Sequence, residues 1–432
     1  MSLESRLLTS LIPQRHAPAW RIAYSGGLDS CVLLHLLVRL ARQQALPPIS
    51  AIHVHHGLQS GADAWAEHCR ETCGALGVPL EVVRVRVADS ASLENAARQA
   101  RYAAFEARLG EDEVLLTAQH RDDQAETLLF RLLRGAGLRG LVAMPPSRAL
   151  GRGLLVRPLL DAGRAELEAW ARAEGLSWVE DPSNASLDHA RNYLRHQVFP
   201  VLERRWPAAA SSMARAAGHL AEAQGLLDEL AALDLASAAA PPPFAWLGLP
   251  SLAMGPLQAI SEARQRNALR HWLRPHVRLP DADHWAGWCD LRDAAGDAAP
   301  VWRLDQAELR RTADRLWLLR GAWLQTPPEP DVASLLGDID LAGNGRVRIS
   351  GAAGDGLRLG YRQGGEWLQL AGRGRRDLKR VLNEQGVPGF VRPRLPLLLR
   401  EREVVAVANL GDLTGSGIRL DWRPPTGDGR LS

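Results

Sequence analysis

Ser25-Gly26-Gly27-Leu28-Asp29-Ser30 gathers two hydroxyls, two glycines and a carboxylate into six residues. An apolar run, Arg21–Tyr24, leads into it and an apolar-periodic segment follows at once, so the pattern predicts strand, tight turn, helix. Gly26 and Gly27 permit positive φ and close backbone approach to a ligand. The N–H groups of Gly26, Gly27 and Leu28 and the hydroxyls of Ser25 and Ser30 then converge at a helix N-terminus, a ready place for an anion. Asp29 does not suit a bare phosphate, but it suits a phosphate carrying Mg²⁺. No Gly-Lys-Ser/Thr follows the glycines, which excludes a Walker loop, and Gly-x-Gly-x-x-Gly is absent as well. A glycine turn with a Ser or Asp helix cap shares part of this pattern.

A second concentration of reactive groups is Thr117-Ala118-Gln119-His120-Arg121-Asp122-Asp123-Gln124-Ala125-Glu126-Thr127. Asp122 and Asp123 are expected to open a helix, where the macrodipole favours carboxylates. Glu126 follows them at helical spacing, so all three share one side. Like charges so placed cost about 0.2–0.5 kcal/mol per pair unless a cation sits among them, and Mg²⁺ or a substrate ammonium would serve. A helix start with solvated acids has the same appearance.

These groups need elements to hold them. Strand-like runs at Arg21–Tyr24, Ile49–His55, Leu80–Val87 and Val114–Ala118 alternate with helix-like stretches near Ser30–Ala41, Ala62–Leu76, Leu93–Leu109 and Asp122–Arg134. That alternation predicts an α/β domain with a parallel sheet and helices on both faces. Ligands in such sheets sit at the carboxyl ends of the strands. The Ser25–Ser30 turn, His53 and His55 with His56-Gly57-Leu58, and Gln119-His120 all fall at such ends, so polar groups from three strands meet at one crevice.

At 432 residues and 46% hydrophobic composition the chain has ample material for several cores. No apolar run approaches the ~18 residues that span a bilayer, and the amino terminus lacks a long apolar targeting core; a cytoplasmic protein with no membrane partner is expected. Cys31, Cys69, Cys73 and Cys289 are too few for a disulfide scaffold and form no Cys-x-x-Cys, so they read as structural thiols. The net charge is only +3, and Lys379 is the sole lysine.

The first motif resembles the pyrophosphate loop of the N-type ATP pyrophosphatases. With His53-Val54-His55-His56-Gly57-Leu58 and His120-x-Asp122-Asp123-Gln124-Ala125-Glu126-Thr127 added, the resemblance narrows to the tRNA(Ile)-lysidine synthetases. Glu94-Asn95-Ala96-Ala97-Arg98-x-x-Arg101-Tyr102, Arg157-Pro158-Leu159-Leu160, Glu180-Asp181-Pro182-Ser183-Asn184 and Arg191-Asn192-x-x-Arg195 match further segments of that family. Gln119 departs from it, standing where the family often has a second histidine. Read from spacing alone, Arg191 and Arg195 put two guanidiniums on one helical face, which suits phosphate and equally suits a solvated surface.

Beyond residue 210 the signals are weaker. Ala214–Leu235 has helical periodicity, and Ala238–Pro250 reads as a loop. Arg266, Arg270 and Arg274 form a basic stripe opposite Leu269, Trp272 and Leu273; this fits a nucleic-acid backbone contact and also an ordinary amphipathic helix. Trp285, Trp288, Trp302, Trp317 and Trp323 read as core. After a Pro-rich linker at Thr326–Pro330, short alternating runs predict a small β-rich module. From Arg358 to Arg394 there are nine Lys/Arg against three Asp/Glu. Segments around Arg373-Gly-Arg375-Arg376-Asp-Leu-Lys379 and Val387-Pro-Gly-Phe390-Val-Arg392 resemble the family's terminal domain, with Gly389-Phe390 in place of the usual Pro-Trp. A solvated basic face would look the same.

The expected organisation is therefore a parallel-sheet catalytic domain over 1–210, a mainly helical substrate domain over 211–325 and a small β-rich tRNA-binding domain over 335–432. The resemblance implies ATP with Mg²⁺ and transfer of L-lysine onto the wobble cytidine of an isoleucine tRNA. It implies catalytic roles for Asp29, Asp123, Glu126 and Arg191, nucleotide contacts from the Ser25–Ser30 loop with His53 and His55, and metal on Asp29. Substrate contacts would come from Arg195, Arg266, Arg270, Arg375, Lys379 and Arg392, with a homodimer as a compatible assembly. A tRNA thiolase, an amidotransferase-type synthetase or a non-catalytic tRNA-binding protein are the alternatives. The first lacks its usual Cys-x-x-Cys here, and the second lacks a glutaminase nucleophile arrangement.

Overall fold

Apolar runs and helical stretches of the amino-terminal half take the alternation expected of them. The computed structural model describes residues 1–57, 59, 61–87, 93–279, 283–295, 298–331, 335, 337–351 and 356–426; Leu58 and the side chain of Glu94, quoted above, lie outside the described set. In order come α1 (Leu3–Leu11), β1 (Trp20–Ala23), α2 (Leu28–Gln43), β2 (Ile49–His55), α3 (Ala62–Leu76), β3 (Leu80–Arg84), α4 (Leu93–Arg108), β4 (Val114–Leu116), α5 (Arg121–Leu133), α6 (Leu138–Leu141), β5 (Ser147–Leu150), β6 (Gly153–Val156) and α7 (Arg164–Ala173). The sheet order is β3-β2-β1-β4-β6-β5, parallel except for β5, which pairs antiparallel with β6 at one edge. β1 and β4 are neighbours, and the chain winds outward from them in opposite directions. Their carboxyl ends are thus the topological switch point, where such sheets bind ligands.

α2 is apolar on most of its circumference, and Cys31, Val32, Leu33, Leu34, Leu36 and Leu37 are all fully buried. Each such aliphatic side chain contributes about 1.5–3 kcal/mol relative to exposure, so the turn feeding α2 is anchored by one of the best-buried helices of the unit. After α7 an irregular stretch leads into α8 (Ala190–Tyr193), a π-helical turn over Leu194–Val198, α9 (Phe199–Arg205) and the 30-residue α10 (Ala209–Ala238).

Two compact units divide the chain, Met1–Gly225 and Leu226–Ser432. In the second, β7 (Ser251–Ala253), α11 (Met254–Gln258), α12 (Glu262–Leu273), α13 (Ala286–Asp293), β8 (Val301–Leu304), β9 (Ala307–Thr312) and β10 (Arg315–Arg320) set helices against an antiparallel sheet ordered β7-β10-β9-β8. Leu269 and Leu273 of α12 are buried there with Trp285, Trp288 and Trp302, as the sequence pattern requires. Beyond come β11 (Gly337–Leu341), β12 (Gly345–Ser350), β13 (Arg358–Gly360), β14 (Trp367–Leu370), β15 (Gly374–Asp377), α14 (Leu378–Glu384), β16 (Leu397–Arg400), β17 (Glu403–Val407) and β18 (Arg419–Arg423), in sheets ordered β11-β12-β18 and β13-β16-β17-β14-β15. One apolar cluster joins Trp317, Leu319 and Trp323 to Leu398, Val404 and Trp422 across the Pro-rich linker. Phe390 packs edge-on against Trp317 and Trp323, with centroids 5.9 and 6.0 Å apart, so its hydrophobic role is met by the core.

Candidate active site

The turn after β1 is held by its own hydroxyls. Ser30 Oγ donates to the Gly27 carbonyl (3.0 Å) and accepts from the Ser25 amide (3.2 Å), while Ser25 Oγ lies 3.1 Å from Ser30 Oγ and accepts from the Gly27 amide (3.3 Å). Gly26 sits at φ +80°, and a Cβ there would come within 3.0 Å of Cys69 Sγ. Glycine is thus required by conformation and by space. The Val179 amide donates to the Gly26 carbonyl (2.9 Å), bringing the segment before Glu180-Asp181 against the turn. Gly27 is the N-cap of α2 and offers no side chain to its first amides, so those donors stay available to an anion.

His53 and His55 end β2 as expected. His53 Nδ1 lies 2.9 Å from the Tyr24 carbonyl, and burial lowers its pKa, keeping the ring neutral. His55 Nε2 stands 3.2 Å from Asp63 Oδ1. Burial, helped by Arg101, brings His56 down to about 4. Cys31, Cys69 and Cys73 are buried beneath this region, and desolvation raises their thiols to about 11, 12 and 11. They are inert structural groups, as their spacing indicated.

Across the switch point, α5 begins with His120 as its N-cap. His120 is only 1% exposed, yet its ring faces three carboxylates: Nε2 lies 3.6 Å from Asp29 Oδ2 and 3.5 Å from Asp123 Oδ2, and Nδ1 lies 3.7 Å from Asp122 Oδ2. Burial pulls its pKa down, but the hydrogen bond to Asp29 and the charges of Asp123, Asp29 and Asp122 outweigh it, and the net shift is upward. Asp29 shows the converse. Burial raises its carboxyl, and His120, Arg164 and Arg195 together hold it below the ordinary carboxylate value. From the sequence His120 stood at a strand end facing the crevice but was given no role; its place two residues before Asp122-Asp123 was the signal that it would sit among those carboxylates.

The carboxylates of α5 already have cations. Arg195, on the π-helical turn, grips Glu126 with Nε to Oε1 at 2.6 Å and Nη2 to Oε2 at 2.9 Å, and Nη2 also reaches Asp123 Oδ1 at 3.0 Å. Glu126 is 3% exposed; burial raises its carboxyl against the pull of Arg195, whose own pKa is raised by the pair in spite of burial. Arg191 donates to Thr127 Oγ1 (2.7 Å). Asp122 accepts from the Arg164 amide (2.9 Å), capping α7. A cation for the acidic face is therefore supplied within the fold by Arg195, with the His120 ring beside it, and Asp29, Asp123, Glu126, Arg191 and Arg195 converge on one crevice.

One buried oxygen there has no partner: Asp29 Oδ1 makes no hydrogen bond. A hard cation takes such an oxygen well. Among the described residues no group of three or more His, Cys, Asp or Glu forms a protein-only metal cage. Mg²⁺ binds through one or two carboxylates together with substrate phosphates and water, and the unpartnered Asp29 oxygen fits that mode.

Of the basic residues singled out in the second unit, Arg266 pairs with Glu262 one turn earlier. Arg270 lies over the Trp285 ring (4.9 Å) and Arg375 over Trp367 (4.2 Å). Arg392 donates to the Val387 carbonyl (2.8 Å) and to Asn383. Lys379 is exposed on α14.

A parallel sheet with a Ser-Gly-Gly-x-Asp-Ser turn at its switch point is a PP-loop domain, and the PP-loop domain family profile matches residues 2–202. A TilS substrate binding domain matches residues 252–317 and a TilS substrate C-terminal domain matches residues 357–416. The chain is 61% identical over 433 residues to a tRNA(Ile)-lysidine synthase of Pseudomonas fluorescens, covering 99% of this chain and 98% of the relative. A protein of the same name from Pseudomonas aeruginosa is 57% identical over 100% of this chain and 99% of its own length, and one from Escherichia coli O157:H7 is 40% identical over 92% and 93%. The chain belongs to the tRNA(Ile)-lysidine synthase family. Among solved structures, a U34-tRNA thiolase from Methanococcus maripaludis aligns with a TM-score of 0.43 at 16% identity, over 51% of this chain and 77% of that one.

Proposed function

We propose that this chain ligates L-lysine, through its ε-amine, to the 2-carbon of the wobble cytidine of an isoleucine tRNA, using ATP and releasing AMP and pyrophosphate. The observation that carries this reading is the PP-loop turn facing an acidic helix across one switch point, in a chain whose relatives match it end to end. Two displacements are required. The 2-carbonyl oxygen of cytidine attacks the α-phosphate of ATP, and the bond to pyrophosphate breaks. The lysine amine then attacks the activated carbon, the carbon–oxygen bond breaks, AMP carries the oxygen away, and the amine gives up a proton.

The residues divide that work. The amides of Gly26, Gly27 and Leu28 and the hydroxyls of Ser25 and Ser30 cradle the departing pyrophosphate, with His53 and His55 flanking the nucleotide. Asp29 would hold Mg²⁺, and the ion, when bound, would neutralise phosphate charge. Asp123 and Glu126 receive the lysine ammonium and accept its proton, while Arg195 limits their mutual repulsion. Arg191 stabilises charge on the α-phosphate. Arg266, Arg270, Arg375, Lys379 and Arg392 contact the tRNA backbone. The chain works as three parts, 1–210, 211–325 and 335–432, as the ranges of the three family matches support, in the cytoplasm, with a homodimer as its assembly.

Incorporation of labelled lysine into isoleucine tRNA, followed by nucleoside analysis, tests the reading. Lysidine should form only with ATP present, and Asp29→Asn or Asp123→Asn should abolish it while leaving the fold intact. Near-normal incorporation by either variant would remove that residue from the mechanism; sulfur in the product would replace the reaction altogether.

A further inference from the structure

The first unit carries a cleft of about 550 Å³ where α9 gives way to α10. Leu202, Trp206, Pro207 and Met213 form its apolar walls, and Arg205 and Ser212 its polar ones. Trp206 is 58% exposed, whereas Trp285, Trp288, Trp302, Trp317 and Trp323 are all buried. The Arg205 guanidinium lies over its ring, with Cζ 5.7 Å from the centroid. Arg204 and Arg205 close α9, and Arg215 donates to Ser212 Oγ (3.1 Å). Across residues 202–216 Glu203 is the only acid beside these three arginines.

An exposed indole next to arginines in a concave site has the composition that holds an unstacked base. The ring takes the π face, and guanidiniums take the flanking phosphates. The charge argues against a second copy of this chain, because a two-fold contact through this patch would set arginines against arginines. The cleft is also tied to the chemistry. Met213 packs with Ala125, Leu194 and Phe199, joining the cleft wall to the helix that bears Asp123 and Glu126 and to the turn that bears Arg195.

We infer that this cleft takes an unpaired nucleobase of the substrate tRNA, stacked on Trp206, with its neighbouring phosphates on Arg204 and Arg205. The inference rests on reading the chain as a tRNA-modifying ligase. Its consequence is positional: a base gripped here fixes the register of the RNA loop relative to the α5 carboxylates.

Filter binding of an isoleucine tRNA transcript to the full chain tests it, with ATP affinity measured in parallel. Trp206→Ala should weaken tRNA binding roughly five- to a hundred-fold, and Trp206→Phe, which keeps a stacking face, should stay within about three-fold of the parent. Ser212→Phe fills the cleft without removing the indole and should weaken tRNA binding as Trp206→Ala does. ATP affinity should be unchanged throughout. Unchanged tRNA affinity in Trp206→Ala overturns the inference, as does equal loss in the Phe and Ala variants. Should Trp206→Ala lose ATP binding as well, Ser212→Phe decides, and normal tRNA affinity there overturns it. A Trp206→Ala chain that changes oligomeric state with intact tRNA affinity assigns the patch to self-association and also overturns it. Parent protein that binds tRNA but incorporates no lysine would refute the ligase reading alone, and the binding arms would still decide the cleft.

Discussion

Replacing His120 with asparagine removes from among three carboxylates a buried ring that is a cation when protonated, and those carboxylates shift it toward that form. At 3.5–3.7 Å each ion pair is worth about 4–5 kcal/mol at an effective dielectric near 20. Desolvation of the ring opposes that gain, since His120 is 1% exposed. The net loss should therefore approach the about 3–5 kcal/mol typical of breaking a buried pair, a large share of ordinary domain stability.

The pH dependence carries the sharper test. His120 is a base whose folded pKa is raised above the unfolded value of about 6.5. Its contribution is fully present below about pH 6.5 and is lost as pH rises through the folded pKa. Asp29 is an acid held below its ordinary value, so its contribution is present above about pH 4 and lost on further acidification. The network is thus at full strength between those limits. Amide hydrogen exchange of α5, followed by mass spectrometry, reads local opening without requiring the whole chain to unfold in one step. Between about pH 5 and about pH 6.5 the protection gap between parent and His120→Asn should be at its widest, and it should narrow as pH is raised further. A gap that is constant across the range, or that widens with alkali, would mean that His120 is neutral in the fold, and the account of the carboxylates' counter-charge would be wrong.

Arg195→Met should destabilise the first unit by about 3–5 kcal/mol, because it strands the buried Glu126 carboxylate; adding Glu126→Gln should recover at least about 1 kcal/mol of that by urea unfolding, and strict additivity would refute the pairing. In the second unit, Arg375→Ala with Lys379→Ala should reduce the slope of log tRNA affinity against log salt by about one per lost phosphate contact. An unchanged slope in filter binding would show that Arg375 serves Trp367 and the fold instead.

What could be read in advance follows the range of the interactions involved. Ser25–Ser30 was legible because strand, glycine turn and helix are contiguous, and its internal hydrogen bonds span at most five residues. The burial of Leu269 and Leu273 was legible for the same reason, since helical period alone selects that face. Arg195 was legible as a basic residue but not as the partner of Glu126, which lies 69 positions away and meets it only through a π-helical turn. Periodicity carries no signal for such a turn. The stacking of Arg270 on Trp285 and of Arg375 on Trp367 was hidden likewise, because an arginine stripe and a tryptophan elsewhere in the chain look independent until the fold brings them together.

His120 shows why a local reading stops short of a site. From the sequence, Asp122, Asp123 and Glu126 read either as solvated acids at a helix start or as a face that takes a cation, a metal or a substrate ammonium. A site that waited for either would hold several buried like charges whenever empty, and buried unpaired charge is costly. The fold resolves this with groups that arrive from its own helix cap and from the segment after α7: His120 beneath Asp29, and Arg195 across Asp123 and Glu126. On the function proposed here, an incoming lysine ammonium would meet carboxylates that are already oriented and would compete with the Arg195 guanidinium for them. Such an exchange would replace one cation by another rather than leave the buried Glu126 carboxylate unpaired.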